Sequence, residues 1–162
     1  MSRTAVSWSC HKRALGLAFV LLLPLAAAAP EPLVGTWRLE RQEINGEKVN
    51  FEPLTLKVSQ SGGQLTFAFS VPVNNVYFVS MSYSLTLNNG EADIKNGRGE
   101  KVGTIQMKTD GPAQYRLVMK GSNRPNSSGK LVVSSDGKSL TSDADSEQSG
   151  HAVHSTQVFS RY

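Results

Sequence analysis

Val76-Tyr77-Phe78-Val79-Ser80-Met81-Ser82-Tyr83-Ser84-Leu85-Thr86-Leu87 is the stretch that decides the fold. Its odd positions are Tyr77, Val79, Met81, Tyr83, Leu85 and Leu87, and its even ones include Ser80, Ser82, Ser84 and Thr86. Successive side chains of a strand point to opposite faces, so this alternation predicts one long strand with an apolar face and a hydroxyl face. Hydroxyl residues tolerate extended backbone and suit the wetted side.

Outward from this strand, turn signals recur at hairpin spacing. Asn45-Gly46, Ser61-Gly62-Gly63, Asn88-Asn89-Gly90, Asp110-Gly111-Pro112 and Asp136-Gly137 all supply residues that accept positive φ. The segments between them, 34–43, 54–60, 65–71, 76–87, 103–108, 114–120, 130–134, 139–145 and 152–161, make about nine candidate strands by their apolar and β-branched content. Ser, Gly and Asn between the apolar positions work against helix after residue 29. Short strands in hairpin order imply an antiparallel meander, and closing a long meander removes its unpaired edges. The expected fold is therefore all-β, an antiparallel up-and-down β-barrel of roughly eight strands. A two-sheet sandwich is the alternative, but its crossovers need longer connections than most seen here.

The N-terminus reads as an export signal. Arg3, His11, Lys12 and Arg13 open it, Ala14 to Leu25 form an apolar run, and Ala26-Ala27-Ala28-Ala29 close it with small residues. A run of about a dozen residues is too short for a spanning helix, which needs roughly 20. Residues 1–29 are accordingly expected to be removed, with the cut after Ala28 favoured over Ala29 because Pro30 follows. The expected location is periplasmic or extracellular, with no stable membrane anchor. Residues 30–162 then form one domain, and roughly 130 residues suffice to bury a core.

Removing that segment changes the charge. Arg3, Lys12 and Arg13 leave with it, taking the 17 basic residues to 14 against 13 acidic ones. A near-neutral domain without a basic patch offers nothing for nucleic acid to bind. Cys10, the single cysteine, also lies in the segment and precedes the apolar run. No disulfide is expected, and stability must come from packing.

At its ends the chain resembles a known family. Leu33-Val34-Gly35-Thr36-Trp37-Arg38-Leu39 looks like the opening strand of lipocalin-like (calycin-type) proteins. The segments Gly129–Val133, Ser134–Thr141 and Gly150–Tyr162 are similar to small secreted lipocalin-like domains of bacteria. The resemblance implies that Trp37 closes the barrel floor beside Gly35, with Arg161 lying over its ring. An arginine on an indole face contributes about 0.5–2 kcal/mol. The open mouth would lie at the other end. Ligand type does not carry over, because the domain is shorter than secreted animal lipocalins and lacks their cysteines.

Catalytic patterns are sparse. No Gly-x-Ser-x-Gly elbow is present, and His151 and His154, three apart on a strand, point to opposite faces. Asp143, Asp145 and Glu147 alternate as a solvated acidic row, and Glu91 and Asp93 read alike, without the glycine-punctuated loop of a calcium site. Gly97-Arg98-Gly99 is a turn rather than a dinucleotide fingerprint. No enzyme activity, metal or cofactor is expected. What remains is aromatic and flexible: Phe67 and Phe69 share a face, as do Tyr77, Met81 and Tyr83, then Ile105 and Met107, then Tyr115, Leu117 and Met119. Facing inward, Phe67, Phe69, Tyr77, Met81, Tyr83, Met107 and Tyr115 would line an apolar pocket with a few hydrogen-bonding points, or else pack the barrel solid. The first outcome implies an exported, non-catalytic binder of a small apolar or amphipathic molecule. The second implies a periplasmic protein-binding module, an inhibitor or assembly factor, using Ser122–Gly129 or Val71–Asn75.

Overall fold

The computed structural model describes residues 31–74, 76–122 and 125–162; the expected export signal, 1–29, lies outside them. Eleven strands follow one another: β1 (Gly35–Ile44), β2 (Glu47–Lys48), β3 (Thr55–Ser61), β4 (Gln64–Val73), β5 (Val76–Leu85), β6 (Glu91–Asn96), β7 (Lys101–Gly111), β8 (Gln114–Gly121), β9 (Ser127–Val133), β10 (Ser139–Gln148) and β11 (His151–Arg161). From β3 onward each strand pairs antiparallel with the next, and β11 closes the sheet on β1 from Trp37↔Arg161 to Ile44↔Ser155. The short β2 only folds back on the end of β1.

The barrel is thus an up-and-down antiparallel barrel as expected, but of ten strands rather than about eight. The barrel strand absent from the nine candidate segments is β6, Glu91-Ala92-Asp93-Ile94-Lys95-Asn96. Its outer face is wholly charged and only Ile94 is buried, so its apolar signal is one residue deep.

Hairpin turns alternate between two ends. Trp37, the Gly62-Gly63 and Asp136-Gly137 turns, and Arg161 lie at one end. The turns at Asn74, Gly99 and Ser149-Gly150 lie at the other. The buried core fills the first end: Leu33, Trp37, Leu65, Phe67, Met107, Tyr115, Leu140 and Phe159 are all at most 2% exposed. Burying such side chains stabilises by about 1.5–3 kcal/mol each. Among the described residues no polar or charged residue is buried.

A β-bulge alters the decisive strand. Met81 pairs with Phe69 but Val79 pairs with Ser70, leaving Ser80 as an extra residue whose hydroxyl donates to the Phe69 carbonyl at 3.2 Å. An extra residue reverses which face the following positions occupy. Met81, Tyr83 and Leu85 therefore face inward as the alternation predicts, whereas Tyr77 and Val79 are turned outward. Tyr77 is 61% exposed and borders a groove on the outer wall with Thr36, Arg38, Thr55 and Lys57. Its predicted inward position is corrected on that ground. Beyond the bulge, Val71–Val73 and Val76–Val79 pair only with each other, so this tip stands as a two-stranded ribbon at the second end.

Candidate functional site

The closed end is built around Trp37. The ring is buried and its Nε1 donates to the Leu33 carbonyl at 2.9 Å. Arg161, the register partner of Trp37, sets its Cζ 4.2 Å from the ring centroid. Its Nε donates to Gly137 O at 2.6 Å, Nη1 to Val34 O at 2.8 Å and Nη2 to Pro32 O at 2.9 Å. A planar fork with several fixed donors suits this task better than a lysine ammonium. The Gly137 carbonyl is held for it by a tight turn in which Asp136 Oδ1 accepts from Ser134 Oγ at 2.5 Å and from Lys138 N at 3.0 Å. Those bonds, the Ser134 one first, hold the Asp136 carboxyl below the usual carboxylate range. Gly35 is required by proximity, since a Cβ there would lie 2.6 Å from Arg161 Nη1. Beside this plug the Tyr115 hydroxyl donates to the Glu31 carboxylate, and burial, then that carboxylate, pushes the phenol's pKa up. This end ties residues 32–37 to the last strand.

Above the core the barrel is not filled. A cavity of about 130 Å³ lies in the interior. Phe69, Met81, Tyr83 and Met119 line its sides together with Leu56. Leu117, Leu131, Leu140 and Phe159 line it as well, and Ser142, Ala144 and Gln157 complete it from β10 and β11. Tyr83 stacks on Phe67, ring centroids 4.7 Å apart, and meets Phe69 at 6.0 Å. Desolvation raises the Tyr83 pKa, so its hydroxyl stays protonated at all ordinary pH.

Of the seven residues expected to line a pocket, the structure brings Phe69, Met81 and Tyr83 to the cavity. Phe67, Met107 and Tyr115 face inward but are sunk in the closed-end core below it, and Tyr77 is outside. Met119 was legible as the inward partner of Tyr115 and Leu117 on β8. Ser142 and Gln157 were not, because on sequence they merge with a run of polar residues from Ser139 to Gln148 and from His151 to Gln157. Only the register through Leu140↔Phe159 shows that these two face inward.

Two further features border the barrel. β5 and β6 share only Met81↔Asn96 and Ser82↔Lys95, and the splay below these pairs forms a polar cleft of about 530 Å³ that Tyr83 also borders. On the outer wall, His154 Nδ1 lies 2.7 Å from Asp145 Oδ1, and Thr156 Oγ1 donates to Asp143 Oδ1 at 2.7 Å. The Asp145 hydrogen bond raises the His154 pKa. This array lies on the outer face of the two strands whose inner face lines the cavity. Among the described residues, no group of three or more His, Cys, Asp or Glu side chains could hold a metal ion.

No family model matches the chain, and no curated protein matches it in sequence. Solved structures do match in shape. The zebrafish ileal bile acid-binding protein, in complex with cholic acid, superposes with a TM-score of 0.57 at 15% identity, over 81% of this chain and 99% of that one. The S-type phycobiliprotein lyase of Guillardia theta superposes with a TM-score of 0.55 at 8% identity, over 82% and 89%. At such identities the likeness concerns the fold alone, which is calycin-like.

Proposed function

We propose that this chain is a non-catalytic binding protein that holds a small apolar or amphipathic molecule in the upper interior of the barrel. We place it outside the cytoplasm after loss of residues 1–29. The observation that carries the reading is the unfilled interior between Phe69, Met81 and Met119, directly above the core that the Trp37–Arg161 plug closes. Apolar walls with a few polar groups are the common make-up of small-molecule sites, and methionine side chains adapt to differently shaped guests. A cavity of about 130 Å³ approaches the roughly 150 Å³ that accepts a benzene ring in an engineered core. The interior thus takes a ring or a short alkyl segment, and a larger guest extends toward the mouth. The two fold neighbours, a bile acid-binding protein in complex with cholic acid and a phycobiliprotein lyase, support the same class of guest.

Calorimetric titration with fatty acids, retinoids, quinones and bile salts tests this. Saturable binding with 1:1 stoichiometry is expected for at least one class. No heat and no thermal shift with any of them would remove the reading. The second reading, a protein-binding module, is favoured by the ribbon, where Val73, Val76, Tyr77, Phe78 and Val79 are each 45–61% exposed. Mass spectrometry of the protein in cell fractions tests export, a new N-terminus at Ala29 or Pro30 being expected.

A further inference from the structure

The walls of the cavity differ in chemistry according to which side of the barrel supplies them. β5 and β10 stand five strands apart in a ring of ten, and so face each other across the interior. On one side Leu56, Phe69 and Met81 line the cavity. The pair Val71↔Phe78 continues that inward face up the ribbon, because the Ser80 bulge turns Phe78 inward in place of Tyr77. On the other side Ser142, Ala144 and Gln157 line it, above Leu140 and Phe159 of the same two strands. Ser155, the partner of Ala144, and Ser146, the partner of Val153, continue that face upward. A second bulge, at Glu40, reverses the phase of β1 and sets Gln42 opposite Gln157 on the same inward face. Above Leu140 and Phe159, mostly small and hydrogen-bonding groups thus confront branched, aromatic and thioether groups across one space.

We propose that the guest is a rigid, flat molecule with its hydrogen-bonding groups along one face, lying with that face on Ser142, Ser155 and Gln157 and its apolar face on Phe69, Met81 and the inner side of the ribbon. This rests on the reading that the interior binds a small molecule. A simple alkyl chain would desolvate the hydroxyl and amide side without pairing it, and sites built to pair a ligand's polar group reject analogues that lack it. The cavity holds one ring at most, so the remainder of the guest extends along the two inward faces above it. A flat shape satisfies both walls at once.

Two bile salts with the same fused-ring skeleton provide the test: cholate, with three hydroxyls on one face, and lithocholate, with one. Laurate serves as the alkyl control, all below their micellar thresholds. Titration calorimetry is expected to show cholate binding at least tenfold more tightly than lithocholate, although lithocholate is the more apolar. The double variant Ser142→Ala/Gln157→Leu is expected to abolish that preference or reverse it, with Ser155→Ala as the replacement should the double variant lose its far-ultraviolet spectrum. Lithocholate binding as tightly as cholate, or a preference that survives the variant, would overturn the proposal. Laurate binding alone would overturn it while leaving the interior a binding site; silence from all three would also overturn it, and the binding reading falls with it only when the retinoids and quinones are silent too.

Discussion

Replacing Arg161 by alanine probes the closed end quantitatively. The guanidinium covers Trp37 at 4.2 Å and caps three carbonyls, Gly137, Val34 and Pro32, at 2.6–2.9 Å. The stacking contributes about 0.5–2 kcal/mol. A hydrogen bond to a charged group contributes about 1.5–3 kcal/mol when buried, but these three are solvent-exposed and are worth well under half of that each. The sum is about 2–4 kcal/mol. For a domain of this size it corresponds to a fall in Tm of roughly 6–16 °C. Thermal unfolding followed by near-ultraviolet circular dichroism measures it. Arg161→Lys should recover less than half, since an ammonium neither spans three carbonyls nor stacks as a plane. Gly35→Ala should resemble Arg161→Ala, because its Cβ would lie 2.6 Å from Nη1 and push the guanidinium off its carbonyls. Ligand affinity measured below the transition should be the same in all three variants, since neither Gly35 nor Arg161 lines the cavity. An Arg161→Ala protein within about 0.5 kcal/mol of the parent would refute the reasoning, as would a variant of normal stability that has lost ligand binding.

Other consequences are as specific. Phe69→Ala should weaken ligand binding severalfold or more, whereas Tyr77→Ala should leave it unchanged in the same titration, since Tyr77 lies outside the barrel. Met107→Ala, in the closed-end core at 1% exposure, should cost about 2–5 kcal/mol in denaturant unfolding while leaving affinity intact at temperatures where the variant is folded. The His154 imidazole should titrate above the ordinary value of about 6.5 by NMR and fall back toward it in Asp145→Asn. A raised folded-state pKa means that the pair's stabilisation is fully present below the unfolded value and is lost as pH rises through the folded one. The stability advantage of the parent over Asp145→Asn should therefore shrink with increasing pH above 6.5.

The end motifs and the alternation between them were legible because each rests on local chemistry. Gly35 and Trp37 stand in a single short strand, and glycine or asparagine occupies most of the turns that need positive φ. The interior was only half legible. In Val76-Tyr77-Phe78-Val79 both parities are apolar, so alternation cannot tell which face is inward. The bulge that decides it is marked only by Ser80, one serine among several. Depth along the barrel was also invisible: Phe67 and Phe69 share a face, yet one is core and the other cavity wall, because cross-strand register sets their level. The polar wall was hidden for a related reason. Ser142 and Gln157 sit in strands whose outer faces are also polar, so no contrast in hydropathy distinguishes their two sides.

Three methionines offer the most direct test of a cavity lying above a solid closed end. Met81 and Met119 line the cavity, and Met107 is packed in the core below it. With methyl-13C-methionine and a saturating ligand found by titration, the account predicts clear shifts of the Met81 and Met119 methyl resonances while that of Met107 stays in place. A bound ligand that moves Met107 alone, or moves none of the three, would contradict it.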